Sequence, residues 1–184
     1  MGLRGRSSKE AREKVKKMPP PNRNYRWYVL YTRCKHEEAA EAYLKRSNIE
    51  VYLPMHEILK QWSDRKKQVM VPLFPSYLFV RISCLEYDRA LQDKSISGFV
   101  TFGGSASAVP DEQIEAIKIV LNKKVGFEIT NESFIPGHRV TINSGPLSGF
   151  PAEVIDRKGK KRLILRVEST SQAMLITTDC SYVD

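Results

Sequence analysis

The sequence predicts an α+β protein, a ferredoxin-like α/β domain followed by a small five-stranded β-barrel. Three observations carry this. Apolar residues make up 41% of the 184 positions and charged residues 28%, enough to bury a core in one medium domain or two small ones. Strand and helix patterns alternate as strand, helix, strand, hairpin, strand, helix, strand, helix as far as Leu121, which is the split βαβ arrangement. From Pro136 onward helical patterns stop, and short β-rich runs separated by turn residues take over.

The charge is uneven. Residues 1–24 hold eight Lys/Arg and two Glu, a net of +6, so the remaining 160 residues carry only +3 of the chain's +9. Residues 1–24 read as a disordered basic tail, first a solvated arm and second an arm for nucleic acid. Residues 18–24 (MPPPNRN) break any helix, and the ordered fold is expected from Tyr25.

Residues 26–32 (RWYVLYT) read as a strand, being aromatic, β-branched or aliphatic through the middle. Residues 36–47 read as a helix. Ala40, Tyr43, Leu44 and Ser47 share a face, Glu41 precedes Lys45 by four residues, and Asn48 takes the left-handed conformation at the end. A short strand at 51–54 leads to a long hairpin over 57–71 around the polar tip 63–67 (SDRKK). Residues 77–82 (YLFVRI) are nearly all apolar, as a central buried strand should be. A short helix is expected at 85–92 and a strand at 98–102 (GFVTF), followed by a Gly103-Gly104 turn. Asp111, after Pro110, offers a cap to a helix with the apolar stripe Ile114, Ile117 and Leu121. Asp111, Glu112 and Glu115 near its start and Lys118, Lys123 and Lys124 near its end suit the helix dipole.

Residues 122–135 lack a clear period, include Gly126, Asn131 and Ser133, and read as a linker. Domains are therefore expected at 25–121 and 136–184. In the second, strands are expected near 140–142, 153–156, 163–167, 173–177 and 182–183, with a Gly/Pro loop at 144–151 (SGPLSGFP).

Several function classes recede. Cys34, Cys84 and Cys180 are far apart with no CxxC pair, and the three histidines are scattered, so neither a disulfide framework nor a zinc site is expected. No apolar run approaches the ~18 residues that cross a bilayer, and residues 1–24 lack the apolar centre of a signal peptide. The expectation is a reducing cytoplasm, with no membrane partner and no cofactor. No nucleophile motif, Walker loop or GxGxxG occurs, so no catalytic residue is assigned and no enzyme is expected.

The aromatic residues are more informative. Trp27, Phe79 and Phe99 read as core. Alternation sends about half of each strand's side chains to the other face. There Tyr31, Phe74, Tyr77 and Phe102 are candidates for an apolar pocket open to a partner. The hairpin carries Lys60, Arg65, Lys66 and Lys67 beside Trp62. That combination suits single-stranded nucleic acid and equally a solvated tip with a partly buried Trp.

Trp27-Tyr28-Val29-Leu30-Tyr31, Leu53-Pro54, Pro72-Leu73-Phe74-Pro75-Ser76-Tyr77-Leu78-Phe79-Val80, Val100-Thr101-Phe102-Gly103-Gly104 and Val109-Pro110 resemble the amino-terminal (NGN) domain of the NusG family. Residues 136–156, with Gly145-Pro146 and Phe150, look like the SH3-like KOW barrel that follows it in that family. The resemblance runs from Tyr25 to Asp184. Its PLFPxYLFV wording is nearer the specialised RfaH-like paralogues than housekeeping NusG. Among these it is nearest the UpxY group, which antiterminates capsular polysaccharide operons.

The resemblance implies that Tyr31, Phe74 and Tyr77, with Phe102 as a further lining residue, grip the clamp helices of the RNA polymerase β′ subunit. It implies that Lys60, Arg65, Lys66 and Lys67 approach the non-template DNA strand in the transcription bubble, joined by Lys45, Arg46 and nearby Arg33. Phe150 matches a KOW-loop aromatic that meets Rho or a ribosomal protein. Asp88 and Arg89 match the second polymerase contact only loosely. Two positions depart from the family: Ser76 stands where housekeeping NusG has glycine, and Ala152 where KOW motifs usually have glycine, so that turn is expected to differ. The mechanism implied is a clamp held closed against pausing, binding energy biasing a two-state element. Two alternatives stay open: a housekeeping elongation factor that recruits Rho, and a KOW-type RNA- or ribosome-binding protein, against which Phe74-Pro75-Ser76-Tyr77 argues.

Overall fold

A computed structural model of the chain describes residues 24–61, 65–102, 104–130, 137–157, 160–166 and 173–176. In chain order the elements are β1 (Arg26–Thr32), α1 (Glu37–Arg46), β2 (Glu50–Tyr52), β3 (Met55–Gln61), β4 (Lys66–Pro72) and β5 (Tyr77–Ile82). A 3-10 turn (Cys84–Glu86) runs into α2 (Tyr87–Ala90), then β6 (Ile96–Phe99), β7 (Thr101–Phe102), β8 (Ser105–Ala106), β9 (Ala108–Val109) and α3 (Asp111–Asn122). Five strands finish the chain: β10 (Phe127–Thr130), β11 (His138–Thr141), β12 (Pro151–Arg157), β13 (Lys160–Arg166) and β14 (Ala173–Ile176). By internal contacts the chain divides into two units. One takes the described residues up to Tyr52 with Ser76–Ala108, the other Leu53–Pro75 with the described residues from Val109 onward. The hairpin and α3 thus group with the barrel strands, whereas the sequence placed them with the first domain.

The first unit is built on a sheet in the order β2-β5-β1-β6. β1 and β5 pair antiparallel from Arg26↔Ile82 to Tyr31↔Tyr77. Trp27, Tyr28, Val29 and Leu30 are all buried, as are Leu78, Phe79 and Val80. Both faces of these central strands are covered, so their burial is continuous. α1 packs on β2 and β5, and its Ala40 and Leu44 are fully buried. Tyr87 stacks on Phe99 with ring centroids 4.3 Å apart, and Tyr28 meets the same ring edge-on at 6.1 Å. Burial pushes the hydroxyls of Tyr28 and Tyr87 above the usual tyrosine range.

The helix ends follow local chemistry. Asn48 sits at φ 53, and Ile49 N–H reaches back to Leu44 C=O at 3.0 Å, closing a Schellman motif on α1. Glu41 and Lys45 form the expected ion pair at 2.8 Å. Lys124, at φ 52, ends α3 in the same way, with Val125 N–H donating to Val120 C=O at 3.0 Å. Three expectations shift. The expected helix at 85–92 contracts to the 3-10 turn and α2, started by a capping box in which Glu86 accepts Ser83 N–H at 3.1 Å. Pro110, at φ −58, occupies the cap of α3, so Asp111 is its first helical residue and not its cap. The face α3 buries is Ile114, Ala116, Ile117 and Val120, leaving Leu121 half-buried.

In the second unit β3 and β4 form the hairpin, paired from Met55↔Pro72 to Gln61↔Lys66. The small sheet runs β10-β14-β13-β12-β11, all antiparallel. Its core includes Leu163, Ile164, Met174, Leu175 and Ile176. The linker reading of 122–135 is corrected here. Residues 127–130 (FEIT) are β10, in register with β14 from Phe127↔Ile176 to Thr130↔Ala173. Ala152 is corrected too: it lies within β12 opposite Val140, in an extended strand where alanine meets no restriction. Gly137 has a steric reason, because a Cβ there would overlap the carbonyl oxygen of Val154. The strand expected at 182–183, the tail 1–23 and Trp62 lie outside the described residues. No helix among the described residues is long and apolar enough to cross a membrane.

Candidate functional site

The buried run of β1 stops at Leu30. Tyr31, the next residue, is 46% exposed. Its register partner across the sheet is Tyr77, half-buried at the start of β5. The two rings meet edge-on, centroids 5.3 Å apart and planes inclined at 63°. Pairs of this kind contribute about 0.5–1.5 kcal/mol beyond area burial.

The turn before Tyr77 is fixed by backbone bonds. Ser76 adopts φ 67, the left-handed region. Its carbonyl accepts Thr32 N–H at 2.8 Å, and its own N–H donates to Glu37 Oε1 at 2.7 Å. Glu37, in the first turn of α1, is only 6% exposed. The sequence reading missed this carboxylate. An acid in a first turn is fully explained by the helix dipole, and nothing local signals a partner 39 residues away.

The other aromatic candidates separate. Phe74, expected as a wall of an open pocket, is buried at 1% exposure, so its side chain is not part of an open surface. Phe102 pairs with Ser105 between β7 and β8, and its side chain lies outside the described set. Phe150 is half-buried in the loop between β11 and β12, where its N–H donates to Leu147 C=O at 3.1 Å and its carbonyl accepts Ile142 N–H at 3.0 Å.

The basic candidates are all exposed. In the first unit Arg33 follows β1, where its N–H donates to Ser95 C=O at 2.8 Å, while Lys45 and Arg46 end α1. Lys45 is engaged with Glu41. The Ser95 hydroxyl and N–H, with Arg46 and His36 nearby, hold the Asp93 carboxyl below its usual range. In the second unit Lys60 and Lys67 are register partners, with Lys66 opposite Gln61 and Arg65 just before β4. Like charges directly opposite repel. Leu59 and Met70, also on the hairpin, are exposed. At the hairpin base the His56 ring lies 5.7 Å from that of Phe127, and burial holds its imidazole below the ordinary range.

The family model described as "Transcription termination factor nusG" matches residues 25–118. The chain belongs to the NusG family of transcription factors. The "Transcription termination/antitermination protein NusG" of Lactococcus lactis is 27% identical over 172 residues, covering 86% of this chain and 91% of that one. The protein of the same name from Chlamydia trachomatis is 23% identical over 157 residues, covering 78% and 86%. Among solved structures, "Domain interaction in Thermotoga maritima NusG" is similar at 21% identity with a TM-score of 0.49, covering 88% of this chain and 97% of that one. With the family model matching residues 25–118 and a five-stranded antiparallel sheet following, the fold is an NGN domain followed by a small KOW barrel. Family membership also accounts for β1 and the segment that carries Tyr77, since both fall inside the matched span.

Proposed function

We propose that this NusG-family chain is a specialised, RfaH-like antitermination factor of the UpxY kind. It acts in the cytoplasm as a monomer, on RNA polymerase transcribing a polysaccharide biosynthesis operon. The observation that carries the reading is the Tyr31–Tyr77 pair, an exposed and a half-buried ring in edge contact above a turn tied at both ends of one residue. Such an aromatic anchor suits a helical protein partner, here the clamp helices of the β′ subunit, with Phe102 as a further lining residue. The wording of residues 72–80 supports the specialised subtype. The NGN contacts are assigned to 25–121, and those of the KOW domain to the sheet β10–β14, where Phe150 in the loop between β11 and β12 is the candidate for meeting Rho or a ribosomal protein.

The hairpin supplies the second contact. Lys60 opposite Lys67, with Lys66 and Arg65 beside them, is a charge arrangement that an anion relieves. The non-template strand is that anion in this reading, with Arg33, Lys45 and Arg46 as a further contact. Polymerase bound in both places has its clamp biased closed, and a closed clamp enters paused states less often. The relatives' shared name, termination/antitermination protein, favours a second reading, a general elongation factor recruiting Rho.

Replacing Arg65, Lys66 and Lys67 together with Ala tests the DNA contact. Crosslinking to the non-template strand should weaken while binding to free polymerase is spared. The salt slope should flatten by about 0.7 for each phosphate no longer neutralised. Undiminished crosslinking would remove the hairpin from the DNA site.

A further inference from the structure

We propose that Glu37 is a positioning residue for the tyrosine pair, acting through the backbone of Ser76. This rests on the reading of Tyr31 and Tyr77 as the polymerase contact. A carboxylate as deeply buried as Glu37 persists only where its oxygens are satisfied. Here Oε1 accepts Ser76 N–H at 2.7 Å, a short and direct bond.

Ser76 needs such support. Its φ of 67 is a conformation that residues with a Cβ avoid, and it persists only where the surroundings over-determine it. Two bonds do so: Glu37 holds the N–H, and Thr32 N–H holds the carbonyl. The next residue is Tyr77, in register with Tyr31, and Thr32 is the residue after Tyr31. The carboxylate therefore fixes where the chain enters β5, and with it the position of one tyrosine against the other.

Helix stability does not require Glu37 in this place. Exposed Glu38 also sits in the first turn of α1 and meets the dipole, and Ala40 and Leu44 provide the packing. Reach to Ser76, and not charge, is the property that matters. Glutamine keeps an oxygen at the same distance, whereas aspartate keeps the charge and falls one methylene short.

The test uses the full-length chain carrying Glu37→Asp, Glu37→Gln or Glu37→Ala. Affinity for core RNA polymerase and the nuclear Overhauser contact between the Tyr31 and Tyr77 rings in the free protein are read side by side. Glu37→Asp and Glu37→Ala should lose affinity about tenfold and weaken the ring contact, while Glu37→Gln stays within about twofold of the native protein. Should Glu37→Ala not fold, the Asp and Gln pair still decides. A native Asp variant beside a defective Gln variant would show that charge matters, and would overturn the proposal. An unchanged ring contact in Glu37→Asp would also overturn it. A disturbed ring contact with unchanged polymerase affinity would uphold the positioning role and overturn the reading of the tyrosines as the polymerase contact.

Discussion

Phe74→Ala should cost roughly 3–5 kcal/mol of stability, the range for truncating a buried phenylalanine. The side chain is 1% exposed, so its removal opens a cavity and strips nothing from the outer surface. At a slope of about 2–4 °C per kcal/mol for a chain of this size, the thermal midpoint should fall by about 10 °C. Scanning calorimetry beside a polymerase pull-down reads both effects. A stable Phe74→Ala protein that no longer binds polymerase would return Phe74 to the binding surface.

Tyr77→Ala should do the reverse. Tyr77 is half-buried, and its ring partner Tyr31 is the more exposed of the two. Truncating an aromatic anchor at a protein interface typically costs ~2 kcal/mol or more, about 30-fold in affinity. Tyr31→Ala should lose a comparable amount while lowering the thermal midpoint by only about 1–6 °C, the share of the ring pair, because a side chain this open contributes little else to the core. Titration of labelled polymerase with each variant measures the loss. Native affinity in both would mean that the pair is a surface ornament of the sheet.

The contrast between Phe74 and Tyr77 marks how far the sequence could be read. β1, α1 and β5 were legible within a residue or two, because a run such as YLFVRI and a helical face such as Ala40 and Leu44 are dictated locally. β10 was not. Its four residues hold too few apolar positions to show a period, and only pairing with Met174 and Ile176 on β14 makes them a strand. Helix α3 was legible but misphased by one position at its cap, where proline and aspartate are both plausible starts. In the candidate site the ring contact of Tyr31 and Tyr77 agrees with their placement near each other by the Phe-Pro-Ser-Tyr block, but not with simple alternation, because β1 is buried without a break from Trp27 to Leu30 and opens only at Tyr31. The burial of Phe74 and Glu37 was not legible, because it depends on chain segments distant in sequence.

Transcription in vitro by purified RNA polymerase, on a template with a strong pause and a downstream terminator, tests the central claim most directly. With the full-length protein added and Rho absent, pauses should shorten and readthrough should rise, and Tyr77→Ala should abolish both changes. Unaltered pausing by the native protein, or Rho-dependent termination that rises when the protein is added, would contradict the account.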